Sequence, residues 1–575
     1  MGSTAAAAED ARVAKRARLA PPAGDADLIS GLDDDVLLRV LGLVGDARDA
    51  ARTGALSRRW LGLWTRAPAL RFSSQPGGFW RAAPASAASL ERYAASVDAA
   101  LARRARSGCA IERLSIAYAA GSEHYPVEQP SFADAAEWWI PCLRDTVTER
   151  ILEQLMPASV RAARGWIGYA FRHGVKSFDL DLQLPLVRSN FLWERDGVEE
   201  VELDDELPSA VRLETMRLAL GGAQLRLPAA MTFASLTNLS LERIGIAAGG
   251  AALLGHLVSS ATCPRLQKLR VRWIYLPAFH EEMAIEADVL SELWMEDVRI
   301  LMSLKLRTPR LRVLHIYKCF HVALRISAPR LEELAIIFQP ACPPRWLEID
   351  GDLPCVRSLK ICLWSHLSRF SGYQEAENDK NMLLLRQCSS LTCLQVFLRG
   401  AKASKKDVDM IKSRVPHLPH ITSLAVNVAC SFKRHGYGAS VASLLTRFSN
   451  LRRLSLHLPF FLELGNNLPA GLDLLCHHRY HWKSNEISMA HLQEVELTGL
   501  TGTDCEVWFM KTMVASAKGL FKVAISFNPY CWQHQGKMDA FERMLLDEGM
   551  WTSHRDTHML TCLRESIPAY ITCEM

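Results

Sequence analysis

From about residue 110 onward the chain repeats one short pattern: a large apolar residue, two variable residues, a second apolar residue, one variable residue, a third apolar residue. It is clearest at Leu236/Leu239/Leu241, Leu266/Leu269/Val271, Leu311/Leu314/Ile316, Leu331/Leu334/Ile336 and Leu451/Leu454/Leu456. Further units start at Ile111, Val175, Val198, Leu213, Leu290, Val356, Leu391, Ile421, Leu492 and Leu520. The second and third apolar positions are two apart, which predicts a strand with one buried face. Pro264, Pro309, Pro329, Pro354 and Pro419 each stand two residues before a unit, as expected where a turn returns the chain to the next strand.

From Val175 to Leu520, over thirteen intervals, the mean step is about 26 residues, although single steps run from about 15 to 41. The spacing resembles the leucine-rich repeat, with its unit of about 20 to 29 residues. The resemblance implies an irregular horseshoe with a parallel β-sheet, so the fold class expected is α/β. The Asn or Cys that usually closes such a unit is nearly absent, Cys319 being an exception.

Ahead of the repeats the period is helical. The Asp33 to Asp35 run suits a helix start, and Val36, Leu37, Val40, Leu41 and Val44 follow at helical spacing. A second helix fits Ala47 to Ala55, and Ser57 is placed to cap a third from Arg58 to Trp64. The stretch 27–72 resembles an F-box, although Asp33 stands where that family usually has Pro. The resemblance implies a three-helix module that docks on a Skp-type adaptor and, through it, on a cullin scaffold. Its implied contact residues are Leu28, Ile29, Leu32, Asp34, Val36, Leu37, Val40, Leu41, Leu56, Trp60 and Trp64. Trp60 and Trp64 fit equally the core of the module and a partner interface.

The remaining segments complete the layout. Residues 1–26 read as a disordered tail in which Lys15, Arg16 and Arg18 are compatible with nuclear import. Residues 73–110 read as a linker and a helix over Ser89 to Arg104, residues 111–488 as the solenoid, and 489–575 as closing repeats and a cap. A helix is predicted over Ala158 to His173 with Gly174 as its C-cap. The run GWIGYAFRHGVKSFDLDL is similar to the segment that opens the repeats of plant F-box proteins, and residues 491–526 resemble the FBD motif that ends many of them. Because repeat arrays couple to nearest neighbours, residues from Ser89 onward are expected to fold without the module.

Composition narrows the function. A net charge of +5 is too small to argue for nucleic acid, and no apolar run reaches the roughly eighteen residues of a membrane span. Fifteen cysteines without a C-x-x-C pair, and no hydrophobic leader, fit reduced thiols in nucleus or cytoplasm. No nucleophile elbow, phosphate loop, H-E-x-x-H or dinucleotide fingerprint is present, so no catalysis, cofactor or metal is expected. Cys476, His477, His478 and His481 read as part of a loop.

Alternation along each strand places variable residues on the concave face. These are Asp179, Asp181, Glu200 and Glu202, then Lys268, Arg270 and Arg272, then Glu292, Trp294 and Glu296, then His315 and Tyr317. An acidic patch, a basic patch and aromatics suit a protein surface, although exposed strands also carry polar residues with no partner. The function expected is the substrate-recognition subunit of an SCF ubiquitin ligase. A repeat scaffold with no role in ubiquitin transfer is the alternative.

Overall fold

A computed structural model describes residues 31–74, 83–84, 86–121, 146–184, 200–202, 212–227, 232–246, 249–276, 282–299, 301–319, 321–337, 346–365, 372–400, 410–429, 437–458, 489–500, 504–527, 539, 543, 551–556 and 559–564. The first helix, Asp34–Leu43, starts at Asp33, whose carboxylate accepts from the Asp34 backbone N–H at 3.2 Å. The second, Ala47–Arg52, runs into a 3-10 turn at Thr53–Ala55. The expected third α-helix is instead a 3-10 segment, Trp60–Arg66, without a side-chain cap. Ser57 therefore does not act as the cap that its position suggests.

The described part of the 27–72 stretch, residues 31–72, does not pack by itself. Its last residues form the strand Ala69–Ser73, which pairs in parallel with Arg113–Gly121. Asp46 ties helix to strand, its two oxygens accepting from the backbone N–H of Arg48 at 2.7 Å and of Ser73 at 2.9 Å. The helix Ala87–Arg106, capped by Ser86, buries Leu90, Tyr93, Val97 and Leu101. Its fully buried Arg104 donates to the carbonyls of Thr65 and Ala110. One continuous apolar core runs from Leu37 to Phe527. A chain cut at Ser89 would lack the strand and turn against which Arg104 and Leu114 are packed.

Beyond this edge the structure is mixed α/β, with a long parallel sheet laid down strand after strand in a solenoid-like order. The described residues form a sheet of 20 strands and a second of four. Register partners form one buried column: Leu70, Leu114, Phe178, Met216, Leu239, Leu269, Leu293, Leu314, Leu334, Leu359, Leu394, Leu424, Leu454, Val495 and Val523. Except for Leu70, these are the middle positions of the repeating pattern. The unit predicted at Val198 behaves differently. Its strand Glu200–Glu202 pairs with Gln224–Arg226, outside this column, and Val198 lies outside the described residues.

The proline lead-ins are turns. Backbone N–H groups of Leu266, Leu311, Leu331, Val356 and Ile421 donate to the carbonyls of Cys263, Thr308, Ala328, Leu353 and Leu418, at 3.1 to 3.3 Å. Each proline thus sits second in a four-residue turn, where its fixed φ is already correct.

What connects the strands depends on unit length. Leu293, Leu314 and Leu334 are about 20 residues apart, and the connections there are strands, Glu282–Glu286, Leu301–Arg307, His321–Ser327 and Trp346–Ile349, which form the second parallel sheet. Leu359, Leu394 and Leu424 are 30 or more apart, leaving room for the helices Gly372–Gln387 and Met410–Arg414. The helix predicted over Ala158 to His173 is the end of a longer one, Thr146–Arg172, closed by Gly174 at φ +61°. After Lys522–Phe527 the sheet ends in an antiparallel hairpin, Trp551–Asp556 with Met559–Arg564.

Candidate partner-binding surfaces

Helix Asp34–Leu43 carries apolar residues on two sides. Leu37 and Leu41 turn inward and, with Leu63, Trp60 and Trp64, belong to the core. Leu32, Val36, Val40 and Leu43 follow at steps of four, four and three along another side, exposed by 37, 41, 45 and 84 %. Leu56 and Leu61, near the 3-10 segments, are both 68 % exposed. Six of the nine large exposed apolar side chains among the described residues therefore fall between residues 32 and 61.

Of the implied contact residues, Leu32, Val36, Val40 and Leu56 face solvent, whereas Leu37, Leu41, Trp60 and Trp64 do not. Trp60 and Trp64 fill the core, because the 3-10 segment turns both indoles inward. Leu28 and Ile29 lie outside the described residues. Asp34 is held by Arg59 at 2.9 Å and Arg66 at 3.2 Å, and the hydrogen bond from Arg59 keeps its carboxyl below the ordinary carboxylate range. Leu43 and Leu61 are additional exposed residues. No sequence rule separates them from core leucines, since exposure is set by which side the neighbouring elements cover.

The concave sheet face is more neutralised than its sequence suggests. Asp179 and Asp181 form no free acidic patch, since Arg217 on the next strand binds them at 3.0 and 3.1 Å and Glu242 at 3.2 Å. Burial opposes the charge of Arg217, but its three carboxylates outweigh burial and hold it charged. Glu200 and Glu202 are not part of this group, because their strand pairs elsewhere. Lys268 and Arg272 meet Glu292 and Glu296, each at 2.8 Å. The middle member of the basic strand, Arg270, is exposed and has no hydrogen bond or ion pair among the described residues.

Arg270 is the register partner of Trp294, and Trp294 of His315. The Trp294 ring is 3.8 Å from the His315 ring, centroid to centroid, and remains 37 % exposed. His315 is almost fully buried, and its Nε2 lies 2.8 Å from Glu333 Oε1, which Lys360 also approaches at 3.1 Å. Burial pushes the imidazole below its usual pKa, against the pull of Glu333. Tyr317 is not a free contact residue, being buried with Ala335, Ile337 and Cys362. Burial pushes its phenol up.

Four non-glycine residues adopt left-handed backbone: Arg243, Trp273, Asp297 and Lys318, at φ 51 to 52°. They occupy the same place on successive strands. In each case two outward residues stand between inward ones, as in Val271, Arg272, Trp273, Ile274, and the left-handed residue restores the inward turn. Ile244, Ile274, Val298 and Cys319 take the inward place that follows.

Among the described residues no group of histidine, cysteine and carboxylate residues could hold a metal ion, and no helix is long and apolar enough to cross a membrane. Cys476 to His481 lie outside the described residues. Cys263 and Cys388 are free thiols that burial pushes up to about 12. Comparison with protein-family models and with curated protein sequences finds no match for this chain.

Proposed function

We propose that the chain is the substrate-recognition subunit of an SCF-type ubiquitin ligase, with residues 27–72 as its F-box and the parallel sheet as an irregular leucine-rich-repeat horseshoe. The observation that carries this is the row Leu32, Val36, Val40, Leu43 with Leu56 and Leu61, all exposed beside a core that is otherwise well filled. A cluster of apolar side chains of this kind on one small segment fits a protein interface better than bare solvent. The horseshoe reading is supported by the inward place shared by Ile244, Ile274, Val298 and Cys319, which Cys319 fills in the usual way and three apolar residues fill in the other units. Towards the other end, strand Glu494–Leu500, helix Asp504–Ser516 and strand Lys522–Phe527 form the unit that carries the FBD resemblance.

In this role the chain performs no chemistry of its own. It holds a target near the activated ubiquitin of the partner enzyme and raises the effective concentration of the target lysine. Nuclear or cytoplasmic placement belongs to the same proposal.

Co-purification with a Skp-type adaptor tests it. Covering one exposed leucine contributes roughly 1.5 to 3 kcal/mol. The pair Leu56→Glu and Leu61→Glu is thus expected to weaken adaptor binding at least about a hundredfold. If the wild-type chain fails to bind any Skp-type adaptor, the ligase role is wrong and a repeat scaffold remains.

A further inference from the structure

Four concave cations, Arg217, Lys268, Arg272 and Lys360, meet a carboxylate within ion-pair distance. Arg270 and Arg243 have no ion pair among the described residues, and the buried Nε of Arg243 has no hydrogen-bond partner. Both lie beside tryptophan. Arg270 is level with Trp294, and the Arg243 guanidinium carbon is 5.2 Å from the centre of the Trp273 ring, against which Arg272 also rests at 3.9 Å.

Accepting the receptor reading above, we infer that Arg243, Arg270, Trp273 and Trp294 form the target-binding centre, and that they take an acidic, unphosphorylated peptide segment with an apolar side chain next to its carboxylate. A guanidinium without a partner is satisfied by a planar carboxylate in a two-point bond. Trp294 is already fixed against His315, so little side-chain freedom remains to be lost when an apolar group packs on it. Arginine and tryptophan together are the residue types that dominate interface energetics.

A phosphate fits less well. Asp181 and Glu242 act on Arg243 across the same patch, as do the cations Arg217 and Arg272, which are already ion-paired to Asp181, Glu242 and Glu296. A doubly charged anion is repelled by Asp181 and Glu242 more than a singly charged one.

A phage-displayed library of random dodecapeptides, which carries no phosphate, tests this on the immobilised full-length chain. Enriched peptides are expected to place Asp or Glu within about three residues of an aromatic residue or leucine. By fluorescence anisotropy the best synthetic peptide should bind at least about tenfold more weakly to Arg270→Ala, to Arg270→Gln and to Trp294→Ala. Lys305→Ala, on the second sheet, should leave binding unchanged, and all four variants should keep the wild-type thermal midpoint within a few degrees. Replacing the peptide's Asp or Glu by Asn or Gln should abolish binding, and replacing it by phosphoserine should weaken it. The inference is overturned if nothing is enriched, if enriched peptides lack acids, if the phosphoserine form binds more tightly, or if folded Arg270 variants bind normally. Adaptor co-purification is scored separately. Peptide binding without adaptor binding sinks the ligase role and leaves this surface standing.

Discussion

Leu70 lies directly opposite Leu114 in a parallel strand pair, and both are almost completely buried, so the last strand of the helical segment is the first strand of the sheet. Truncating Leu70 to Ala leaves a cavity at that junction and is expected to cost about 2 to 5 kcal/mol. A chain starting at Ser89 should lose its cooperative urea transition altogether, since Leu114 and Ile116 would face water. Circular dichroism of that fragment decides the matter, and a sharp transition at the wild-type midpoint would show that the sheet stands without this strand.

Two leucines of one helix should separate stability from docking. Leu37→Ala removes a core side chain and is expected to lower stability by about 2 to 5 kcal/mol. Leu43→Glu changes a side chain that is 84 % exposed, so stability should move by no more than about 0.5 kcal/mol while adaptor affinity falls. Chemical denaturation and adaptor binding, measured on both variants, check the split. Equal losses of stability would contradict the burial pattern.

His315 makes stability depend on pH. Burial holds its folded pKa below the ordinary 6.5, so in acid the unfolded chain takes up the proton first. Its contribution is therefore complete above about 6.5 and is lost as pH falls from there towards the lower folded value. The charged neighbours Glu333 and Lys360 face the same ring, as do Trp294 and Tyr317. Between pH 7 and pH 5.5 the wild type should lose more unfolding free energy than His315→Gln, and a larger loss in the variant would refute the assignment.

A buried carboxylate works in the opposite sense. Glu377 on helix Gly372–Gln387 is inaccessible to solvent and accepts from Trp364 Nε1 at 2.6 Å, with Arg399 at 3.7 Å. Burial raises its pKa above the ordinary 4.5 despite Arg399 and Trp364. Stability from this group is present below about 4.5 and is lost as pH rises through the raised folded value. At pH 7 Glu377→Gln, which keeps an acceptor for Trp364, should therefore cost no more than about 1 kcal/mol, whereas Glu377→Ala should cost about 3 to 5 kcal/mol. Unfolding curves of both variants test this, and equal losses would mean that the indole bond contributes nothing.

Much of the strand architecture is legible in the chain itself. A period of two within each unit, restarted by a proline turn, needs only local backbone geometry and the exclusion of apolar side chains from water, so Leu269, Leu293 and Leu314 could be assigned inward before any fold was known. Helix Ala87–Arg106 was legible for the same reason, with Leu90, Tyr93, Val97 and Leu101 on one side. Helix Gly372–Gln387 was not, because the stripe it buries includes Gln374, Glu377, Asn378 and Asn381, the last three bonded to Trp364 and Cys362 on a neighbouring strand.

What the sequence alone determined, then, is which residues point inward and where each strand begins, because both follow from local periodicity. Tertiary structure decided which charges remain unpaired. Asp179 and Lys268 looked available until strand register set Arg217 beside the one and Glu292 beside the other. It also decided which leucines stay outside, since Leu41 and Leu43 differ only in what packs over them. Pairing and cover arise between segments far apart in the chain, and no local pattern encodes them.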